Sequence, residues 1–198
     1  MKELTRLPRP ILGHRPEWID LYQRAWAVFV PPAGWAAAHL VRALLITDSP
    51  VGEDDRLDPS GAAQRQMDEW CARYAPPITP PPDLAPQVTA LLFSQIIGVR
   101  LYADDASHGG LRHIVWHLTE PPPVGIHNLV WDDYTIHLLA DQPQGGGLAV
   151  HIDSPVALLL EIVTPHTTFV ELVAPGPRTL TLTVLDRTDV QANPFDQK

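Results

Sequence analysis

Seven of the nine histidines fall between His108 and His166. That density invites metal or acid–base chemistry, because imidazole titrates near neutral pH and is a common metal ligand. Spacing decides which pairs could serve. His113 and His117 flank Ile114-Val115-Trp116, a β-branched and aromatic run that favours a strand. Four residues of strand separate them by about 13 Å, at roughly 3.3 Å per residue, too far for two ligands each about 2 Å from one zinc. His151 and Asp153 lie two apart in an alternating run, so both project from one face. A third ligand from a neighbouring strand could complete a metal site with them. Trp131 is followed by Asp132 and Asp133 at the end of an apolar run. An indole face there could stack on the C–H surface of a sugar ring while the carboxylates accept from its hydroxyls. That trio is the carbohydrate-binding candidate.

Other chemistries leave weaker traces. The chain has no G-x-S-x-G elbow, no P-loop and no G-x-G-x-x-G, and Gly145-Gly146-Gly147 reads as a hairpin turn. Cys71 sits on the apolar face of a helix, where a thiol behaves as a small hydrophobe. Trp18 and Trp26 are eight apart on one helical face and read as core.

The elements that would hold these residues change character midway. Pro16 opens a helix to about Val30, with Trp18, Leu21, Tyr22, Ala25, Trp26 and Phe29 on one face. A nearly all-apolar helix over Gly34 to Thr47 reads as buried. A polar loop follows over Asp48 to Ser60. A third helix spans Gly61 to Tyr74, with Ser60 as its cap and Met67, Trp70, Cys71 and Tyr74 on its apolar face. A fourth covers Ala85 to Ile97 and stops at Gly98. After Gly98 the hydrophobic period becomes two. Strands fit Val99 to Tyr102, Leu111 to Leu118, His127 to Trp131, Tyr134 to Ala140, Leu148 to Asp153, Val156 to Val163, Thr168 to Val173 and Thr179 to Leu185. Many short strands, each with one apolar and one polar row, make an antiparallel sandwich.

Composition bounds the partners. The formal charge is −9 and the pI about 5.3, which argues against nucleic acid and anionic membrane, both of which need clustered Lys and Arg. No apolar window is long enough to span a bilayer. The start, MKELTRLPRPILGHRP, lacks the apolar run of a signal peptide. A single cysteine excludes an internal disulfide and points to a reducing cytoplasm. Six prolines between Pro76 and Pro86 form a stiff connector.

The run Leu91 to Gln142 resembles the end of the six-hairpin (α/α) barrel glycoside hydrolases of the trehalase and glucosidase kind. There the last barrel helix passes through a "GV–R" step into an "I–W–H–L" strand, then "G–I–x–N–L" and "T–x–x–L–L" strands. Here those pieces are Ile97-Gly98-Val99-Arg100, Ile114 to Leu118, Gly125 to Leu129 and Thr135 to Leu139. The opening helix, RPEWIDLYQRAWAVFV, is similar to the "HPEW–x–LY–x–x–AW" helix that opens their catalytic domains. The resemblance implies a β-sandwich cap and a link to carbohydrate. It also exposes a gap, since a barrel of six hairpins needs many more helices than the four readable here. Glycoside hydrolysis needs two carboxyl groups about 5–10 Å apart around one bond, and the family's middle, which carries them, has no counterpart. Only Glu69, in Asp68-Glu69-Trp70 ahead of Arg73-Tyr74-Ala75-Pro76, echoes a family carboxylate motif.

The expectation is an α+β protein, a short helical N-terminal part packed on a C-terminal antiparallel β-sandwich. Its parts are a helical region over 1–97, the sandwich over 98–186 and a polar tail over 187–198. The leading functional expectation is a non-catalytic relative of these hydrolases, binding carbohydrate or assembling with a glycosidase. One alternative is a small His/Asp-dependent hydrolase, with or without a metal. Another is a structural protein that self-associates through its second helix and Val156 to Leu160. No cofactor is expected.

Overall fold

The computed structural model describes residues 7–31, 37–47, 61–102, 111–143 and 147–182. The fold is α+β with a sheet-rich C-terminal part. The elements run β1 (Arg9–Leu12), α1 (Pro16–Val28), α2 (Ala37–Leu45), β2 (Ile46–Thr47), α3 (Ala62–Arg73) and α4 (Leu84–Ala90), which continues as a π-helical turn, Leu91–Ile97. Strands β3 (Val99–Tyr102), β4 (Arg112–His117), β5 (Val124–Trp131), β6 (Tyr134–Asp141), β7 (Leu148–Ser154), β8 (Leu158–Val163), β9 (Thr168–Val173) and β10 (Gly176–Leu182) follow. The cap expected at Ser60 and the tail 187–198 lie outside the described residues. Gly61 occupies the N-cap position of α3.

The strands form two five-stranded sheets. Sheet A has the order β1-β5-β6-β7-β10 and sheet B the order β2-β3-β4-β8-β9. Two pairings are parallel, β2 with β3 and β4 with β8. The chain leaves β4, builds β5 to β7 in the other sheet, and returns through β8 beside β4. Two strands also come from the N-terminal part, so the helical region is woven into both sheets.

Alternation sets what each sheet buries. In sheet A, Ile136, Leu138 and Ala140 of β6 and Val150 and Ile152 of β7 are buried, while the residues between them face out. In sheet B, Leu101, Ile114, Trp116, Leu158, Leu160 and Ile162 are buried. These rows join Trp18, Leu21, Tyr22, Ala25 and Trp26 of α1, Met67 of α3 and Phe93 and Ile96 of the π-helical turn in one core.

Large amphipathic side chains tie the layers together by their polar ends. Trp18 Nε1 donates to Asp68 of α3 at 2.9 Å, Trp26 Nε1 to Thr89 of α4 at 3.0 Å, and Trp116 Nε1 to the Ile97 carbonyl at 2.9 Å. Each indole is thereby buried without an orphaned donor. Gly98 ends the π-helical turn at φ 82°. A Cβ at this position would lie 2.2 Å from the His117 carbonyl oxygen, so only glycine lets the turn pass this close to β4.

Candidate functional site

A break in the alternation of β5 sets two histidines at the wall of a concavity that a third histidine and an aspartate also line. Ile126 pairs with Leu138 and Leu129 with Ile136, leaving His127 and Asn128 both opposite His137. Two residues against one is a β-bulge. It keeps Ile126 and Leu129 buried on the same side. Asn128 takes φ 60°, a left-handed conformation that asparagine tolerates better than most residues. Its N–H donates to His137 Nδ1 at 3.2 Å. The His127 and His137 Nδ1 atoms stand 3.2 Å apart, with their rings edge to face.

This hydrogen bond fixes the proton pattern. His137 Nδ1 accepts from the backbone, so its neutral ring carries the proton on Nε2. The contact with His127 is then satisfied when His127 holds its proton on Nδ1, which leaves its Nε2 as an acceptor. The pair therefore offers one donor and one acceptor outward. Register adds the rest of the face: His137 lies opposite Asp153, and His151 lies opposite Thr179. His151 Nδ1 and Thr179 Oγ1 are 3.0 Å apart. These side chains line an open depression of about 260 Å³ that is bounded by the β10 residues Pro177, Arg178 and Thr179.

The sequence-derived candidates separate on this frame. His151 and Asp153 share the exposed face of β7, as their spacing requires. Among the described residues, no group of three or more His, Cys, Asp or Glu side chains is arranged to hold a metal ion. The neighbour opposite Asp153 is His137, and its Nδ1 is committed to the bulge. The carbohydrate trio needs correction. Trp131 is only 2% exposed and belongs to the core, so its indole presents no face to a sugar. It shares the inward side of β5 with Leu129. Asp132 is a clamp: it accepts from Arg42 of α2 at 2.7 Å and from Arg112 of β4 at 3.1 Å, joining the β5–β6 hairpin to a helix and to the other sheet. Asp133 is exposed beside it.

Glu69 lies on the exposed side of α3, where Arg73 one turn later donates to it at 2.6 Å. None of the three cavities described is lined by two carboxylates. Cys71 is half-buried, and its Sγ donates to the Glu17 carbonyl at 3.5 Å. Burial, together with the charges of Glu17 and Asp68, pushes its thiol up to about 11, which makes it a poor nucleophile near neutral pH. His113 and His117 occupy the outward side of sheet B. His113 is 2% exposed, packs against Tyr102 and lies 3.3 Å from Glu161. Of the expected self-association segments, Val41 and Leu45 of α2 and Leu158 and Leu160 of β8 are buried in the chain's own core, while Leu40, Leu44, Val156, Ala157 and Leu159 are partly exposed.

Sequence reasoning missed His127, His137, Arg178 and Thr179. The signal for the first two was present, because His127-Asn128 interrupts the apolar alternation between Ile126 and Leu129.

No protein-family model, no curated protein and no solved structure matches this chain. No helix among the described residues is long and apolar enough to cross a membrane.

Proposed function

We propose that this protein acts by binding, with the outward face of sheet A as its ligand surface and a carbohydrate or similar polyol as its ligand. The observation that carries the reading is the side-by-side placement of donors and acceptors around the His127–His137 pair, Asp153, His151 and Thr179. A sugar hydroxyl both donates and accepts, so a mixed surface suits it better than a surface of one type. The resemblance of the terminal segments to carbohydrate-active enzymes favours the same ligand class. With no buried aromatic platform in use, affinity in the millimolar range, about −4 kcal/mol, fits an open face.

Calorimetry with maltose and trehalose tests the reading. Weak saturable binding, lost in the H151A/D153A double variant, is the expected result. No heat with either sugar, or binding unchanged in that variant, contradicts it. Robust release of glucose from either sugar, abolished by E69Q, would overturn the non-catalytic part of the reading.

One observation favours a second reading, a His-assisted hydrolase. Thr179 Oγ1 lies within hydrogen-bond reach of His151 Nδ1, the geometry of a hydroxyl beside a general base. Ester hydrolysis lost in T179A and H151A would support it, and activity that survives both would remove it.

A further inference from the structure

Edge strands expose unpaired N–H and C=O groups, and natural sheets guard them with proline, charge or brevity. Three of the four edges here are guarded. Edge β1 is four residues long and carries Arg9 and Pro10, β10 carries Pro177 and Arg178, and β2 has two residues. The fourth edge, β9, is different. It reads Thr168-Phe169-Val170-Glu171-Leu172-Val173, six residues with no proline, no basic residue and a single charge, Glu171. Among the described residues it pairs only with β8. Val170 and Leu172 stand 58% and 59% exposed on its outward side, next to Glu161 and Leu159 of β8.

We infer that β9 is the interface for a second copy of this chain, joined edge to edge and antiparallel so that two B sheets become one continuous sheet. The partner is a second copy because the strand complements itself in one register. Antiparallel neighbours place residues of the same face opposite each other. A two-fold axis through Val170 sets Val170 against the partner's Val170, Leu172 against the partner's Thr168, and Phe169 against the partner's Glu171. Moving the axis to Glu171 sets two carboxylates directly opposite, which is unfavourable. Moving it to Phe169 leaves Leu172 opposite the partner's His166, beyond the strand. Moving it to Leu172 leaves Val170 opposite the partner's Ala174, again beyond the strand, so the first register is the one that keeps both exposed apolar side chains within paired strand and separates the charges.

Light scattering and cysteine cross-linking in a C71S background test this. The expected results are a dimer for the parent protein and efficient disulfide formation in V170C. Opposed residues of an antiparallel pair bring their Cα atoms within about 4.5–5.5 Å, inside the Cα separation a disulfide spans. E171C should cross-link much less, being offset from its own copy. V170K and L172E should be monomeric and folded, because both side chains are exposed, and their melting temperature should no longer depend on protein concentration as the parent's does. A monomeric parent at high micromolar concentration overturns the inference, as does a dimer that survives V170K and L172E. Cross-linking of E171C equal to that of V170C overturns the register.

Discussion

The two sheets share one core yet differ in almost everything they show outside. Sheet A turns His127, His137, His151, Asp153 and Thr179 outward, and its edges carry prolines and arginines. Sheet B turns out Leu159, Glu161, Val163, Val170 and Leu172, packs His113 away beside Tyr102, and leaves β9 without such guards. The inner rows of both must be apolar, because the core demands it. The outer rows are free to specialise. Here one is polar and indented and the other is richer in apolar side chains, with an edge that lacks proline and arginine; on the readings proposed above, ligand chemistry belongs to the first and protein contact to the second.

The comparison can be broken at its premise of equal inner faces. Trp116→Ala in sheet B and Trp131→Ala in sheet A should each cost about 3–5 kcal/mol, as expected for a buried indole, measured by urea unfolding. A small loss at Trp131 would return it to the surface and revive a stacking role. The outer faces should separate more finely. His113→Ala removes a buried ring beside Glu161 and should cost about 1–3 kcal/mol, whereas His151→Ala on the open face of sheet A should stay within about 0.5 kcal/mol. The clamp between the sheets comes next. Asp132→Asn weakens the ties to Arg42 and Arg112 and should cost about 1 kcal/mol, less in high salt.

The smallest effect extends the comparison to the helical side, where Cys71 should be chemically quiet. With the thiol near 11 against an ordinary 9.0, its alkylation at pH 8 should run about 100-fold slower than that of a free thiol, by thiolate fraction alone. The sign for stability follows from the same shift. The folded chain binds this proton more tightly, so the contribution is complete below pH 9 and is lost as pH climbs through 11.

Much of this architecture was legible because local pattern carries it. The face of α1, the stop at Gly98 and the alternation of β6 and β7 all follow from residues close in sequence. Strand β1 was not legible, since Pro8-Arg9-Pro10 reads as irregular chain, and only an edge position beside β5 makes it a strand. The parallel pairing of β4 with β8 leaves no local mark either, because each strand's pattern is silent about its neighbour. The candidate site was half legible. His151 and Asp153 came from parity, and the same parity, carried from Leu129 to Trp131, would have placed that indole inside. Arg73 four residues beyond Glu69 was a readable helix pair. What parity cannot supply is which strand brings His137 and Thr179 alongside.

The division between the two outer faces is tested most directly by following the histidine ring resonances by NMR while maltose is added. The account predicts saturable shifts of His127, His137 and His151, with His113 and His117 on sheet B unmoved. Shifts confined to His113 and His117, or equal small drifts at all five rings, would contradict it.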